Sequence, residues 1–291
     1  MNCELCPRRC GADRTKKAGY CGENQTLRAA LAGLHFWEEP CIAGSGGAGA
    51  VFFSGCSLKC VYCQNKAVSC GGRGKEITVL RLREIFDELI CAGADVIDLV
   101  TPTHFLPQVA EALAAEKLPV PVVYNCGGYE DPLQLRRLEG LVDIYLPDFK
   151  YADAFLAKRL SNAEDYPQVA LSAIKEMYRQ TGDYVLDEDG MLASGVLVRH
   201  LVLPGFTDNT LDCVDLLTRT FTDKNILFSL MSQYTPPKEP LEIESLNRRL
   251  TQAEYDRCVD YLYLCGWENG YVQELSSAKE EYTPDFNFEG L

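Results

Sequence analysis

Apolar residues along this chain follow two alternating patterns. Short, nearly continuous apolar runs of strand length are separated by segments in which apolar residues recur at helical spacing, as in residues 79–92. Strands that alternate with helices predict βαβ units and a parallel sheet, so the predicted fold class is α/β. Six strands are predicted, and they begin at Ala50, Ala94, Val120, Val142, Val196 and Ile226.

The remaining patterns predict helices over residues 109–115, 133–138, 152–160, 164–181, 211–221 and 252–264. Residues 184–192, which contain Asp189 and Gly190, predict a small hairpin. Residues 271–291 are polar and aromatic, and they either add an edge strand or lie over the mouth of the sheet.

Polar residues gather where the predicted strands end. Parallel strands end at one edge of a sheet, and barrel-type sheets carry their chemistry there. Arg199 faces inward on a buried strand and needs an anion, for which a carboxylate is the obvious partner. The strand-end candidates are Thr101, Thr103, His104, Asn125, Asp148, Lys150, Arg199 and Gln233.

Composition narrows the possible partners. The chain has 291 residues, 47% of them hydrophobic, which is enough for a sizeable core. No apolar run approaches the roughly 18 residues of a membrane span, and the first residues do not resemble a signal peptide, so we expect a cytoplasmic protein. The formal net charge of −14 repels a phosphate backbone, so we do not expect nucleic acid as a partner. Because no apolar run is long enough, we do not expect a membrane either. The acidic charge suits a protein or small-molecule substrate, or it serves only solubility.

Fourteen cysteines, in a compartment that disfavours disulfides, are expected to be thiols or metal ligands. Cys56, Cys60 and Cys63 follow the first predicted strand on one short loop. Three thiolates at this spacing hold three corners of a [4Fe–4S] cluster and leave one iron open for chemistry. The alternatives are a structural zinc site, with Cys70 as the fourth ligand, or part of a disulfide framework.

A second group of cysteines lies near the N-terminus, at Cys3, Cys6, Cys10 and Cys21. Four thiolates predict a closed site, which either zinc or an accessory iron–sulfur cluster satisfies, and such a site favours a structural or electron-relay role. The alternative is a set of spare thiols without metal. Glu38 and Glu39 come after these four cysteines, and we expect them to be surface charges; the alternative is that they contact the cluster region.

The cysteine loop and its flanks, from Phe52 to Asn65, resemble the radical SAM superfamily. The nearest branch contains the pyruvate formate-lyase activating enzyme and uncharacterised relatives with a cysteine-rich N-terminus; the activating enzyme itself lacks that segment. The resemblance implies a partial (β/α)6 barrel over residues 46–270, preceded by a cysteine-rich metal-binding segment at 1–45 and followed by a tail at 271–291. It also implies S-adenosylmethionine as the cofactor that chelates the open iron.

The resemblance also assigns roles to strand-end residues. Asn125 opens a turn similar to the Asp-Thr-Asn-Gly-Phe turn of the activating enzymes. Asp148 and Lys150 resemble their Asp-x-Lys motif, in which the lysine pairs with the cofactor carboxylate and the aspartate organises a cation or ribose contact. Arg199 resembles the arginine of a family strand.

Three further contacts to the cofactor are expected. Thr101, Thr103 and His104 stand where relatives carry a Gly-Gly-Glu turn that meets the cofactor amino group, although the Thr-Pro-Thr-His sequence departs from it. An N-cap or a satisfied polar contact is the other interpretation of His104. Gln233 is expected to read the adenine edge, and Tyr62 to stack on its ring.

The function that the resemblance implies is reductive cleavage of S-adenosylmethionine to give a 5′-deoxyadenosyl radical that abstracts hydrogen. By analogy, the target is a glycyl radical enzyme and the electron donor is a flavodoxin or a ferredoxin-like protein. The alternatives are modification of another peptide or small molecule, and a non-catalytic iron–sulfur or zinc protein. Serine-type hydrolysis has no support, because none of the three histidines lies near a nucleophile elbow.

Overall fold

The computed structural model describes residues 2–277 and 284–291, and within them it places ten strands and eight α-helices. The strands are β1 Arg28–His35, β2 Ala48–Phe53, β3 Lys75–Glu76, β4 Val96–Val100, β5 Val122–Cys126, β6 Ile144–Pro147, β7 Val185–Leu186, β8 Leu192–Leu201, β9 Leu227–Met231 and β10 Gly270–Val272. The helices are α1 Lys66–Ser69, α2 Val79–Cys91, α3 Leu106–Ala114, α4 Pro132–Leu135, α5 Ala154–Ser161, α6 Tyr166–Thr181, α7 Thr207–Thr218 and α8 Gln252–Leu264.

The strands form one sheet in the order β10-β9-β8-β6-β5-β4-β2-β1-β3, with β7 paired to β8. Along this order, every neighbouring pair from β10 to β2 is parallel, whereas the short strand β7 pairs antiparallel with β8. The six predicted parallel strands are confirmed, and the sheet is not closed, as expected of a partial barrel. Strand β10, at the start of the predicted tail, adds a seventh parallel strand at the edge.

Strand β1 was not predicted from the sequence. It pairs antiparallel with β2, and His35 lies opposite Ala48. Its sequence is rich in alanine, leucine and glycine, which favour strands only weakly, so it carries no clear strand pattern. Residues 284–291 pack against its other side, where Phe288 N donates to Ala30 O at 3.1 Å and Ala32 N to Glu289 O at 3.0 Å.

The core lies inside the curved sheet and between the sheet and its helices. Strands β2, β5, β6 and β9 are buried at every position, as expected for parallel strands covered on both faces. Helix α2 buries Leu82, Ile85 and Phe86 on one face and begins at a Thr78 cap that accepts from Arg81 N. No helix in the described ranges is long and apolar enough to cross a membrane.

The two edges of the parallel sheet receive different loops. The cysteine loop follows β2 at the edge where β4, β5, β6, β8 and β9 also end. The loop between β1 and β2, residues 36–47, lies at the opposite edge, where Leu192 N at the start of β8 donates to Cys41 O at 2.8 Å. Both loops contribute side chains to the same pocket inside the sheet.

Candidate active site

A pocket of about 270 Å³ occupies the interior of the sheet below the cysteine loop. One part of its wall, here called the thiol end, carries Cys56, Cys60 and Cys63. A second part, here called the acidic floor, consists of Glu38, Glu39, Asp98 and Asp148 grouped around Arg199; all but Asp98 line the pocket directly.

The cysteine loop is held by close backbone contacts. Gly55 has φ +81°, and a Cβ at this position would come within 2.8 Å of Cys21 O, so glycine is required for the turn out of β2. Lys59 adopts a left-handed φ of +54°, which turns the chain between Cys56 and Cys60. Cys63 N donates to Cys60 O at 3.1 Å and closes the loop.

Each thiol of the loop receives at least one hydrogen bond from the protein. Leu58 N donates to Cys56 Sγ at 3.3 Å, Ser161 Oγ to Cys60 Sγ at 3.0 Å, and Ser69 Oγ to Cys63 Sγ at 3.4 Å. Such donors orient thiolate ligands and tune the reduction potential of a cluster.

The chemistry of the three thiols fits an iron–sulfur cluster. Burial, and then the nearby Cys60, raise the pKa of Cys56 to about 12, and the same two causes raise the pKa of Cys63. Thiols that disfavour one another's ionisation become thiolates when a metal cation joins them. As placed, no three histidine, cysteine, aspartate or glutamate side chains in residues 2–277 and 284–291 form a ready-made metal site. The fit therefore rests on three thiols that share one pocket wall.

Charged and polar residues from the β1–β2 loop, β5, β8 and the segment after β6 meet at the acidic floor. Arg199 donates through Nε to Asp148 Oδ1 at 3.2 Å, through Nη1 to Glu38 Oε2 at 2.9 Å, and through Nη2 to Asn125 Oδ1 at 2.6 Å. Lys150 Nζ donates to Asp148 Oδ2 at 2.5 Å. Although burial raises the pKa of Asp148, Lys150 and Arg199 bring it below its usual value, so this carboxylate stays ionised.

Comparison with known proteins decides the family. The model of the radical SAM superfamily matches residues 50–217, more than half of the chain. The chain belongs to the radical SAM superfamily. Members are enzymes that bind a [4Fe–4S] cluster and S-adenosylmethionine and take electrons from a reductant.

One curated relative and several solved structures resemble this radical SAM protein. The relative is the uncharacterized protein MJ0674 of Methanocaldococcus jannaschii, 28% identical over 276 residues, covering 89% of this chain and 73% of the relative. Methylornithine synthase (PylB) aligns with a TM-score of 0.50 and 14% identity over 75% of this chain and 68% of that one. Streptococcus suis SuiB, bound to the precursor peptide SuiA, aligns with a TM-score of 0.51 and 15% identity over 77% of this chain and 48% of that one. At these identities the structures support the fold alone.

Some residues of the Thr-Pro-Thr-His turn after β4 line the pocket, and others lie in the protein interior. Thr101, with a left-handed φ of +60°, and Thr103 line the pocket, and Thr103 Oγ1 donates to Glu130 Oε1 at 2.6 Å. His104 does not line it, because its Nε2 meets Ser54 O behind the cysteine loop. Burial lowers the pKa of His104 to about 4, so the ring is neutral. The structure therefore does not bring His104 to the expected cofactor contact.

The two residues expected at the adenine lie next to the thiol end. Gln233 lines the pocket, and its backbone oxygen accepts from Gln64 Nε2 at 3.2 Å. Tyr62 also lines it, but its ring is buried, and its hydroxyl pairs with Tyr151 Oη at 2.8 Å. Tyr151 Oη in turn lies 2.7 Å from Ser161 Oγ, the donor to Cys60. Tyr62 thus belongs to a hydrogen-bonded chain that supports the cysteine loop.

The four N-terminal cysteines fold toward one another against the cysteine loop. Cys10 and Cys21 flank Gly19, where a Cβ would lie 3.2 and 3.6 Å from their sulfurs. Burial, and to a smaller extent the charges of Glu130, Cys21 and Cys3, raise the pKa of Cys6 to about 12. Cys56 N donates to Cys21 O at 3.1 Å, so the N-terminal cysteine segment and the cysteine loop are in direct backbone contact.

Arg8 fastens the N-terminal segment to the cysteine loop. Its guanidinium donates to Ser57 O at 2.7 Å and to Ser161 O at 2.7 Å, and it lies 4.3 Å above the ring of Tyr20. A bidentate arginine between backbone carbonyls is a geometrically specific contact. The segment is therefore part of the site's support.

Most of the acidic floor was not predicted from the sequence. Glu38 and Glu39 were expected at the surface, but both line the pocket, and Glu39 is only 5% exposed. Asp98 is fully buried in β4. An aspartate within an apolar strand run was the available signal, because a charge so placed needs a partner. No local pattern distinguishes Glu38 and Glu39 from surface charges.

Proposed function

We propose that this protein reductively cleaves S-adenosylmethionine to methionine and a 5′-deoxyadenosyl radical, which abstracts a hydrogen atom from a substrate held in the pocket. A [4Fe–4S] cluster, when bound, supplies the electron for that cleavage. The observation that carries the proposal is the thiol end, where three cysteines of one loop face a pocket that polar strand-end residues also line.

Cys56, Cys60 and Cys63 are proposed as the cluster ligands, with Leu58 N, Ser161 and Ser69 donating to their sulfurs. Three protein ligands leave one iron for the amino and carboxylate groups of the cofactor, which is the family's use of such a loop. Cys70 Sγ lies beside Ser69 Oγ at 3.6 Å, but Cys70 is exposed. A three-ligand site is therefore proposed rather than a four-cysteine zinc site.

Lys150 is the better candidate for the cofactor carboxylate. Arg199 is already paired with two carboxylates, those of Glu38 and Asp148, whereas Lys150 is paired with Asp148 and also lines the pocket. A lysine has three donors, so two remain for an anion. Arg199 is better placed to hold Asn125 and Asp148 in position, and Thr101, Thr103 and Gln233 remain candidates for polar contacts to the cofactor.

The four N-terminal cysteines are proposed to hold a second metal, either zinc or an iron–sulfur cluster. Their mutual approach and the contact from Cys56 N to Cys21 O support a site that stabilises the cysteine loop or relays electrons to it. Replacing Cys56, Cys60 and Cys63 together with alanine tests this, because any metal that remains belongs to the N-terminal segment. Less than about 0.2 equivalents of zinc or iron per chain in that variant would reject the second site.

The substrate and the electron donor follow from family analogy. A low-potential flavodoxin or ferredoxin-like donor is proposed as the reductant. A glycyl radical enzyme is proposed as the target, and another peptide or a small molecule is the alternative. The acidic surface is compatible with a docked basic protein. Formation of a glycyl radical in a candidate partner, followed by electron paramagnetic resonance, would decide between these targets.

The proposed cleavage is tested on the full chain. We expect anaerobically reconstituted, dithionite-reduced protein to convert S-adenosylmethionine to 5′-deoxyadenosine. In Cys60→Ala, the rate of 5′-deoxyadenosine formation should fall at least a thousandfold and the cluster should be lost. In Cys91→Ala, at an exposed position on α2, neither the rate nor the cluster content should change. A fully loaded wild-type protein without product, or full activity in Cys60→Ala, would reject the proposal.

A further inference from the structure

The acidic floor holds more carboxyl groups than basic groups among the described residues. Four carboxyl groups, those of Glu38, Glu39, Asp98 and Asp148, lie around Arg199. Lys150, paired with Asp148, is the other cation at this place. If all six groups are ionised, two negative charges are in excess, and buried charge without a partner is unfavourable.

The hydrogen bonds of the floor leave acceptors unused. Asn125 Nδ2 is shared between Glu38 Oε1 at 3.3 Å and Asp98 Oδ2 at 3.2 Å. Asp98 Oδ1 is fully buried and has no hydrogen-bond partner in the described part of the chain. Buried carboxyl oxygens are normally paired, so an unpaired one beside a pocket indicates a donor that the protein does not provide.

The shift in pKa of two floor carboxyls agrees with a missing cation. Burial raises the pKa of Glu39 to about 7, although Arg199 and a 2.8 Å hydrogen bond from Ser229 Oγ lower it. Burial and then Glu38 raise the pKa of Asp98 well above its usual value. A cation that binds in the floor favours the ionised form of both carboxyl groups, and the two carboxylates then attract the cation.

Aromatic side chains line the pocket next to these acids. Trp37 directly precedes Glu38, and His35 lies two residues before Trp37. The Phe52 ring centroid is 6.0 Å from that of His35 and 5.5 Å from that of Phe286. All four line the pocket. Aromatic faces beside carboxylates are a typical environment for an organic cation, because both attract positive charge.

Two of the floor acids, Glu38 and Glu39, and the cysteine loop come from opposite edges of the sheet. Glu38 and Glu39 belong to the loop that precedes β2, and the cysteine loop follows it. Strand β2 has six residues, so its two ends are about 17 Å apart. Glu39 contacts Ser229, the central residue of β9, so the acids reach into the middle of the sheet from the edge remote from the cysteines.

We infer that the acidic floor binds a positively charged group of the substrate, an amino or guanidino group, and so holds the substrate below the cofactor. This inference rests on the proposed function, because it places a substrate in the pocket where the cofactor radical would form. It names the substrate class as an organic cation, either a basic side chain of a peptide or a small amine.

Binding of simple cations tests the inference without turnover. The reconstituted, oxidised full chain is saturated with S-adenosylmethionine, so that the cofactor's own charges are already placed. n-Pentylammonium, n-butylguanidinium and the uncharged 1-pentanol are then titrated by calorimetry. We expect at least one of the two cations to bind at least tenfold more tightly than 1-pentanol.

Matched variants locate the binding. Glu39→Gln and Asp98→Asn keep the size of each side chain, and each should weaken cation binding at least tenfold. Glu188→Gln, at an exposed position in the β7–β8 turn, should leave it unchanged. Circular dichroism checks that each variant is folded, and if one is not, the other carries the test.

Three results would overturn the inference. They are equal binding of 1-pentanol and both cations, unchanged cation binding in folded Glu39→Gln or Asp98→Asn, and cation binding that disappears once S-adenosylmethionine is present. The last would assign the floor to the cofactor. Formation of 5′-deoxyadenosine in the same preparation separates the two proposals, since product without cation preference removes only this inference. Cation preference without product removes the proposed cleavage instead.

Discussion

The two ends of the pocket are built in different ways. The thiol end comes from one loop of eight residues, Cys56 to Cys63, and its neighbours add hydrogen bonds to sulfur. The acidic floor draws its groups from the β1–β2 loop, β4, β5, β8 and the end of β6. A local loop concentrates ligands of one chemical kind, whereas convergent strands bring together charges that must balance one another.

This difference predicts different responses to substitution. Loss of a charge in the floor leaves several other charges without a partner, so it should lower the stability of the whole fold. Loss of a hydrogen-bond donor at the thiol end should instead change mainly the properties of the cluster. The following changes address one end at a time.

The largest effect is expected from Arg199→Met. Removing the cation leaves Glu38 and Asp148 without their shared partner, and breaking such buried pairs typically costs about 3–5 kcal/mol. Urea denaturation measures the loss of unfolding free energy. Arg219→Met, which removes an exposed pair with Asp215 at the C-terminal end of α7, should cost less than about 0.5 kcal/mol. Equal losses in the two variants would show that the floor charges are not coupled.

A pH-dependent loss of stability is expected from His200, which follows Arg199 on β8. Its ring lies between Phe149 O and Thr210 Oγ1, and burial lowers its pKa to about 4. The unfolded chain therefore takes up this proton first as pH falls below about 6.5. His200 stabilises the fold above that pH and loses the contribution, about 3 kcal/mol, as pH falls to 4.

His200→Gln isolates that contribution from other titrating groups. His104 has a similar pKa of about 4 and the same sign, so the wild-type protein loses more than one histidine contributes. The difference in unfolding free energy between wild type and His200→Gln should shrink from pH 7 to pH 4. A constant difference across this range would contradict the assignment of a buried neutral ring.

Affinity for the cofactor is expected to fall about 10- to 100-fold in Lys150→Gln. The change removes the positive charge proposed to meet the cofactor carboxylate, and charge-assisted hydrogen bonds contribute about 1.5–3 kcal/mol. Equilibrium dialysis with labelled S-adenosylmethionine measures it, and iron content should stay at the wild-type value. Lys158→Gln, exposed on α5, is the control. Unchanged affinity in Lys150→Gln would contradict this role of Lys150 and make Arg199 the candidate partner of the cofactor carboxylate.

The smallest effect is expected from Ser161→Ala at the thiol end. The change removes the donor to Cys60 Sγ, which stabilises the more negative, reduced cluster, so the reduction potential should fall by about 50 mV. Redox titration followed by electron paramagnetic resonance measures the shift. Ser172→Ala, exposed on α6, should leave the potential unchanged. A potential unaffected by Ser161→Ala would remove this serine from the cluster's support.

The sequence predicts the thiol end and the sheet because both depend on the order of residues within short stretches of the chain. Three cysteines at fixed spacing need no tertiary information, and buried parallel strands produce apolar runs wherever they occur. Strand β1 escaped prediction because its residues favour strands only weakly. The position of Glu38 and Glu39 escaped it because burial of a charge depends on partners such as Arg199 and Ser229, which lie more than 150 residues away.

The central claim is that three thiolates hold a cluster whose fourth iron meets the cofactor. Electron–nuclear double resonance of the reduced protein with S-adenosylmethionine carrying ¹⁵N at its amino group tests this most directly. The account predicts a ¹⁵N coupling to the cluster that disappears in Cys60→Ala. Zinc in place of iron at these cysteines, or a reduced cluster without ¹⁵N coupling at saturating cofactor, would contradict it.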